Sequence, residues 1–256
     1  MIAPGRSRRP GGGRAALDPP TEQELADCPF CAGHEDRTPP ETLRLGDPWQ
    51  VRVVPNLFPA LDRHEVVIHA PRHVRSLAEL GEDELALVAE AWRRRREAEP
   101  GGYLQVFLNE GREAGGSLPH SHSQLAWLPE QPPATRHAVE RERWSVVEER
   151  DGLVLACPYA SRLPYECVVV PVSPRGEAFG DELLAPAVRL LGTAIRRLHV
   201  VAGEVPLNAW LHDGPDWHLE LLPRLTVLAG LELGAGIYVN TVAPEEAAAQ
   251  LRAAGT

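Results

Sequence analysis

The chain has 256 residues, of which 43% are hydrophobic and 24% are charged, and these proportions are ordinary for a globular protein that buries a full core. Its formal net charge of −10 argues against a general nucleic-acid binder, whose binding surface would be basic. All 26 basic residues are arginines. A Schiff-base lysine and a P-loop lysine are therefore excluded, and phosphate groups must be bound by arginine, histidine or backbone N–H groups.

No apolar stretch approaches the length of a membrane-spanning helix, and the N-terminus has no hydrophobic signal core. These two observations predict a cytoplasmic protein with no membrane partner.

The first motif along the chain is Cys28-Pro-Phe-Cys31, in a chain with two other cysteines. In a cysteine-poor chain this spacing indicates a metal site or a redox pair rather than a disulfide framework. No strand of a βαβ unit precedes the motif, which favours the metal site over a thioredoxin-type pair. A tetrahedral zinc site needs two more nitrogen or sulfur donors, and His73 and His120 are the best placed to supply them.

Apolar and β-branched runs predict four strands and one helix in the first half of the chain. The helix has apolar residues at helical spacing and ends at Pro100-Gly101-Gly102. In chain order the predicted elements are strands at 49–54 and 64–69, a helix at 80–97, and strands at 103–108 and 125–128.

The second half repeats this order, with strands at 152–157 and 165–171, a helix at 181–201, and strands at 207–211 and 217–222. We therefore predict an α+β fold made of two copies of one unit, packed as a pseudo-twofold pair. The predicted domains are residues 1–135 and 136–256, each with a mostly antiparallel sheet and helices. Chance recurrence of similar strands is the alternative, and the matching order of elements favours duplication. Cys157 and Cys167 lie in strand-like segments and are interpreted as core residues.

Residues 109–124 connect the last two strands of the first copy through a glycine-rich loop. Side chains alternate faces along a strand, so His120, His122 and Gln124 are predicted to point to the same side. Imidazole is a nucleophile or a metal ligand, and a glycine-rich backbone can bind phosphate. The alternative is a long hairpin with an exposed polar face.

If His120 binds zinc, His122 is free to attack the α-phosphorus of a nucleotide and form a nucleotidyl-histidine. A backbone carbonyl would be needed to fix its tautomer. Gln124 can hydrogen-bond the phosphate without donating a full proton, whereas a third histidine there would favour hydrolysis. Arg6, Arg9 and the loop around Ser117 are predicted to neutralise the phosphates.

These motifs resemble the galactose-1-phosphate uridylyltransferases, the branch of the histidine-triad superfamily with a His-x-His-x-Gln signature. The resemblance covers nearly the whole chain in order. It is carried by residues 3–10, Cys28-Pro-Phe-Cys31 with 38–41, 54–59, 71–73, 109–111, the His120-to-Gln124 signature, 217–224 and 230–234. Two histidine-triad-like units are the fold that it implies. In two places this chain departs from the family pattern. Leu57 replaces an acidic residue that contacts the nucleotide. Glu220 replaces a histidine of a second metal site, and we therefore do not predict that site.

The resemblance implies zinc bound by Cys28, Cys31, His73 and His120, with His122 as the nucleophile and Gln124 and Ser117 on the α-phosphate. It also implies nucleotide contacts from Arg6, Arg9, Asn56 and Asn109, and a sugar contact from Glu232 across the interface of a homodimer. The implied reaction is ping-pong: UDP-glucose gives uridylyl-His122 and glucose 1-phosphate, and galactose 1-phosphate then takes the uridylyl group.

Other functions stay open at this point. The segment at 230–234 and the compact second half also resemble the ADP-glucose phosphorylase branch, and a dinucleoside-polyphosphate phosphorylase or hydrolase is a further alternative. A third hypothesis is a nucleotide-sensing or zinc-scaffold protein without catalysis.

Overall fold

The computed structural model describes residues 1–3, 19–135, 141 and 143–255. Within these ranges the alternating apolar residues form ten strands and the segments with helical apolar spacing form α-helices. The strands are β1 Leu43–Leu45, β2 Val51–Pro55, β3 His64–Ile68, β4 Tyr103–Glu110, β5 His122–Leu128, β6 Ser145–Arg150, β7 Leu153–Cys157, β8 Cys167–Pro171, β9 Leu207–His212 and β10 His218–Pro223. The helices are α1 Glu22–Asp27, α2 Glu82–Ala98, α3 Leu184–Ala202, α4 Gly230–Ala235 and α5 Pro244–Ala253.

All ten strands belong to one sheet, in the order β1-β2-β3-β5-β4-β9-β10-β8-β7-β6, and each neighbouring pair is antiparallel. Read outward from the β4–β9 contact, the two halves have the same order of equivalent strands. This arrangement confirms the predicted α+β fold of two pseudo-symmetric units. The domain boundary at residues 135 and 136 stays a prediction, because the sheet continues from one half into the other through β4 and β9.

The long helices cover one face of the sheet, and the predicted site lies on the other. On β3, Val67 packs into the main core beneath α2 and α3, whereas Val66 and Ile68 belong to a smaller apolar cluster with Cys28 and Phe30. Alternation along a strand explains this division, because successive side chains point to opposite faces of the sheet. The smaller cluster therefore holds the N-terminal cysteine segment against the open face of the first unit.

The predicted strands and helices are present, and their ends differ by a few residues. The largest differences are three residues, at the start of α3, which begins at Leu184 rather than at 181, and at the start of β5, which begins at His122 rather than at 125. The apolar pattern begins only at Leu125, but the polar residues before it are held in the sheet by pairing with β3 and β4. Strands β1 and β6 and helices α1, α4 and α5 had no prediction.

Helix α2 is joined to β3 through a buried ion pair. Arg95 donates from Nε and from its terminal guanidinium nitrogen to the two carboxylate oxygens of Glu65, at 2.8 and 2.9 Å. The bidentate geometry fixes α2 over β3. In the described residues, no helix is long and apolar enough to cross a membrane.

Candidate active site

Four donor side chains converge on the open face of the first unit. Cys28 and Cys31 follow α1, His73 follows β3, and His120 precedes β5. Their ligand atoms all lie within 4.8 Å of one another. The Sγ atom of Cys28 is 3.3 Å from Nδ1 of His120, and that of Cys31 is 3.4 Å from Nδ1 of His73. A tetrahedral zinc ion separates its sulfur and nitrogen ligands by about 3.5 Å, so the four donors fit such an ion.

The two histidines of this group also have outer partners that fix their tautomers. Nε2 of His120 lies 3.1 Å from the carbonyl oxygen of Ala70, and Nε2 of His73 lies 2.9 Å from Oε1 of Glu24. Each imidazole therefore donates its Nε2–H outward and keeps the Nδ1 lone pair for the centre. Glu24 also accepts from Nε of Arg75 at 2.7 Å, and this hydrogen bond lowers the pKa of the carboxyl group.

The electrostatics of the group also favour a bound cation. Burial and the neighbouring Cys28 thiol raise the pKa of Cys31 to about 12, so two thiolates would not coexist here without a compensating positive charge. Burial, with smaller contributions from nearby cationic groups, lowers the pKa of His120 to about 3 and keeps its imidazole neutral, as a metal ligand must be.

His122 lies at the start of β5, two residues after the candidate ligand His120. Its Nδ1 atom is 2.7 Å from the carbonyl oxygen of His120, so Nδ1–H donates to that oxygen and Nε2 keeps its lone pair. Burial lowers the pKa of His122, which favours the neutral ring. The edge contact with the Phe30 ring, at a centroid distance of 5.4 Å, limits how the imidazole can rotate.

A cavity of about 400 Å³ opens beside His122. Its lining brings together four of the predicted site residues, namely Asn56, Ser117, His122 and Gln124. The loop between β2 and β3 contributes Leu57 and Phe58, whose side chains are 66% and 85% exposed. Apolar walls with a few polar groups at one end are typical of a small-molecule site.

Gln124 has a side-chain partner that the sequence did not indicate. Oε1 of Gln124 lies 2.9 Å from Nε2 of His64 and 3.5 Å from Nδ2 of Asn56. His64 is only 8% exposed and lies against the signature glutamine. The β3–β5 register explains the contact, because His64 pairs with Ala126 and is a diagonal neighbour of Gln124 on the same face.

Four other predicted binding residues lie outside this cavity lining or outside the described residues. Oδ1 of Asn109 accepts from Nδ2 of Asn208 at 2.8 Å, across the β4–β9 contact. Oε2 of Glu232 accepts from the backbone N–H of Ala229 at 3.0 Å in α4. Arg6 and Arg9 lie outside the described residues. The nucleotide and sugar contacts assigned to these four residues stay predictions.

A buried histidine supports the signature strand from behind. His69 is fully buried, with Nδ1 2.9 Å from Oγ of Ser121 and Nε2 3.0 Å from Oγ of Ser123. Trp92 of α2 also donates to Oγ of Ser123, at 2.8 Å. The two serines alternate with the signature residues His-x-His-x-Gln, so these contacts fix which face of β5 points into the cavity.

The second unit contains another group of possible metal ligands, His212, His218 and Glu220, whose donor atoms lie within 4.8 Å of one another. Nδ1 of His218 is 3.0 Å from the carbonyl oxygen of Asp216, which leaves Nε2 facing the Glu220 carboxylate at 3.4 Å. The replacement of a histidine by Glu220 predicts no metal site here, and this stays a prediction. A carboxylate is itself a metal ligand, so the alternation His218-x-Glu220 is the sequence signal for this group of side chains.

Comparisons with known proteins agree with this arrangement. A family model described as the N-terminal domain of galactose-1-phosphate uridyl transferase matches residues 58–132, from the rim of the cavity through the signature strand. A galactose-1-phosphate uridylyltransferase of Thermotoga maritima is 24% identical, and the alignment covers 91% of each protein. These matches confirm the resemblance of the chain to the galactose-1-phosphate uridylyltransferase family.

An ADP-glucose phosphorylase of Arabidopsis thaliana is 26% identical to the chain, over 98% of the chain and 89% of the relative. A crystal structure of an ADP-glucose phosphorylase from Arabidopsis thaliana with bound ADP-glucose superposes with a TM-score of 0.84 and 26% identity. That superposition covers 98% of this chain and 94% of the other. The chain is accordingly an enzyme of the galactose-1-phosphate uridylyltransferase superfamily.

Proposed function

We propose that the chain transfers the nucleoside monophosphate group of a nucleotide sugar to a phosphate acceptor through a covalent nucleotidyl-His122 intermediate. The hydrogen bond from Nδ1 of His122 to the carbonyl of His120 carries the proposal, because it leaves the Nε2 lone pair for nucleophilic attack. The adjacent cavity is large enough for a nucleotide sugar to enter beside this ring.

The proposed reaction has two displacements at the α-phosphorus. In the first, Nε2 of His122 attacks, an N–P bond forms, and the bond from phosphorus to the bridging oxygen breaks, so that the sugar 1-phosphate leaves with the electron pair. In the second, a phosphate oxygen of the acceptor attacks, the N–P bond breaks, and His122 is regenerated. Gln124 and Ser117 are proposed to donate hydrogen bonds to the non-bridging oxygens as negative charge develops there.

We propose zinc as the ion held by Cys28, Cys31, His73 and His120, because two thiolates and two imidazoles are a common tetrahedral zinc set. Because these four side chains would fill a tetrahedral site, a bound ion would supply structure rather than a reactive water. His120 would thereby be fixed, and with it the carbonyl oxygen that accepts from His122.

For the substrate, ADP-glucose with orthophosphate as acceptor is the first candidate. The ADP-glucose phosphorylase relative aligns with almost the whole chain, and the phosphorylase crystal structure superposes over the same extent. Leu57, an exposed apolar residue at the rim, also departs from the acidic residue expected of the uridylyltransferases. Attack by orthophosphate on adenylyl-His122 would release ADP.

UDP-glucose with galactose 1-phosphate is the second candidate. The match of the family model and the Thermotoga maritima relative support it. It has the same covalent chemistry at His122 and differs in the base and in the acceptor. The contacts predicted for Arg6, Arg9, Asn56 and Asn109 belong to both candidates.

We also propose a homodimer. Glu232 lies in α4 rather than in the cavity lining, and a sugar contact from it would have to reach a partner's site. Apolar side chains around it are exposed to solvent, including Leu233 at 74%, Val227 at 69% and Ile237 at 45%. An interface between two copies would bury them.

The experiment is intact-protein mass spectrometry after separate incubation with ADP-glucose and UDP-glucose, followed by addition of orthophosphate or galactose 1-phosphate. An adenylyl adduct that orthophosphate removes supports the first candidate. A uridylyl adduct that galactose 1-phosphate removes supports the second. If zinc-loaded, folded protein forms no adduct with either donor, the proposed transferase function is wrong.

A further inference from the structure

We propose that His64 is a positioning residue that sets the amide orientation of Gln124, so that the Gln124 NH₂ group donates toward the transferring phosphate. The inference rests on the proposed nucleotidyl transfer at His122. It assigns a role to a buried side chain that the His-x-His-x-Gln signature does not include.

The tautomer of His64 follows from its backbone neighbour. The N–H group of Ala60 lies 3.1 Å from Nδ1 of His64. A backbone amide can only donate, so Nδ1 must carry the lone pair. The neutral imidazole is then protonated at Nε2, and that N–H is the donor facing Oε1 of Gln124 at 2.9 Å.

This donor settles which end of the Gln124 amide faces inward. The oxygen and nitrogen of a side-chain amide are nearly equal in size, and their hydrogen-bond partners decide between the two orientations. With Nε2–H of His64 as donor, only the carbonyl oxygen of Gln124 can face it. The opposite orientation would bring two N–H groups together.

Asn56 also presents a hydrogen-bond donor to Oε1 of Gln124. Its Oδ1 atom accepts from the backbone N–H of Phe58 at 2.9 Å, so its NH₂ group faces both Oε1 of Gln124, at 3.5 Å, and Nε2 of His64, at 3.4 Å. With Nε2 of His64 protonated, both nitrogens are donors, and Oε1 of Gln124 is the acceptor that they share. Across the described ranges, both hydrogen bonds of the Gln124 side chain end on Oε1. The Gln124 NH₂ group thus remains for a ligand in the cavity that Gln124 lines.

The loop between β2 and β3 therefore determines which end of the Gln124 amide faces the cavity. Two of its backbone N–H groups, at Phe58 and Ala60, orient Asn56 and His64, and both of these side chains present donors to Gln124. A donor fixed before the substrate arrives stabilises developing negative charge without reorganisation. A flipped Gln124 would instead point its carbonyl oxygen at the anionic phosphate.

Two substitutions at position 64 separate this role from simple packing. In His64→Gln, the terminal amide nitrogen lies where Nε2 was and can still donate to Gln124. In His64→Asn, the shorter side chain places its nitrogen near the former Nδ1 and leaves Gln124 without that donor. His199→Gln, in α3 of the second unit, is the matched control for loss of an imidazole.

The measurement is the single-turnover rate of nucleotidyl-His122 formation, using whichever of ADP-glucose and UDP-glucose labels the wild type. We expect His64→Asn to lower this rate about 10- to 100-fold, which is somewhat less than the loss caused by removing an oxyanion-hole donor. The concentration of nucleotide sugar that gives half the maximal rate should change little. His64→Gln should restore the rate to within about fivefold of the wild type, by retaining the donor. In a Gln124→Ala background, His64→Asn should add less than about twofold, because the two residues act as one unit.

Nitrogen NMR of the imidazole gives a readout that does not depend on activity or on a variant's folding. The proposal predicts the Nε2–H tautomer for His64 in the unliganded wild-type protein. An Nδ1–H tautomer would overturn it. Equal rate losses in His64→Asn and His64→Gln, or independent losses in the Gln124→Ala background, would also overturn it.

The two proposals fail in different ways. A wild-type protein that forms no adduct contradicts the proposed function, and the role of His64 falls with it. A wild-type protein that forms the adduct, with His64→Asn reacting at the same rate, contradicts only the role of His64.

Discussion

Nδ1 of His122 lies 2.7 Å from the carbonyl oxygen of His120, so the candidate nucleophile is hydrogen-bonded to the backbone of a candidate metal ligand. The ring of His120 faces the cysteines, while its carbonyl oxygen fixes the tautomer of His122. The candidate metal centre and the candidate nucleophile are thereby joined through one residue. Displacement of His120 should alter the reactive nitrogen of His122 as well as metal binding.

The Glu24→Ala substitution tests whether the hydrogen bond from His73 to Glu24 supports the candidate metal centre. Glu24→Ala removes the carboxylate that accepts from Nε2 of His73, and loss of such an outer partner lowers metal affinity by about 10- to 100-fold. We expect that loss in a zinc competition titration with a chromogenic chelator. Glu22→Ala, at an exposed position of the same helix, should retain wild-type affinity. Equal affinities for the two variants would contradict the outer role of Glu24.

Gln124→His tests why an amide occupies the last signature position. A histidine there could act as a general acid, and positioned acids accelerate reactions by about 10²- to 10⁴-fold. We therefore expect hydrolysis of the nucleotidyl-His122 adduct to rise at least about tenfold relative to transfer to the acceptor. The ratio of free nucleoside monophosphate to transfer product measures this. Gln124→Ala, which has neither amide nor acid, should slow both reactions; a similar rise in hydrolysis there would contradict the role assigned to histidine.

Glu110 gives a pH-dependent contribution to stability. The carboxyl group is buried and accepts from the backbone N–H of Leu77 at 2.6 Å, and burial raises its pKa from 4.5 to about 7. Between these values the folded state holds a proton that the unfolded state releases. Its favourable contribution is therefore complete below about pH 4.5 and is lost as the pH rises through about 7.

Glu110→Gln should remove this pH dependence, because the amide does not titrate. Relative to the variant, the wild type should lose about 3 kcal/mol of unfolding free energy between pH 4.5 and 8, because folding raises the pKa of Glu110 from 4.5 to about 7. Urea unfolding of both proteins across this range measures the difference. A constant difference between the two proteins would contradict the raised pKa of Glu110.

Arg95 and Arg94 provide a matched pair on α2. Arg95→Met leaves the buried carboxylate of Glu65 without its bidentate partner, and such a loss costs about 3 to 5 kcal/mol of stability. Arg94→Met removes only a half-exposed pair with Glu90 and should cost less than about 1 kcal/mol. Denaturant unfolding compares the two variants. Similar losses would show that the Arg95–Glu65 pair does not anchor the helix to β3.

The sequence predicted much of the site because its key residues are close together in the chain. The alternation in His120-x-His122-x-Gln124 predicts one shared face, and the Cys28-to-Cys31 spacing predicts half of a metal site. These patterns depend on local geometry, which a sequence displays directly.

The remaining parts depend on strand register and tertiary packing. His64 reaches Gln124 because β3 lies beside β5 with Val66 opposite Gln124, and a sequence pattern does not specify that pairing. Glu24 lies in an acidic stretch with no apolar periodicity, so its contact with His73 had no local signal. Strand β6, Ser145–Arg150, is a charged edge strand, and its sequence lacks the apolar alternation by which strands are recognised.

The central claim is that His122 carries the nucleotidyl group. The most direct measurement is tandem mass spectrometry of peptides from protein that has been incubated with the nucleotide sugar and then kept out of acid. We predict a nucleotidyl group on the peptide of β5 at His122, stable in alkali and labile in acid as a phosphoramidate is. His122→Ala, with its zinc content unchanged, should carry none. An adduct on another residue, or the same adduct in His122→Ala, would contradict the account.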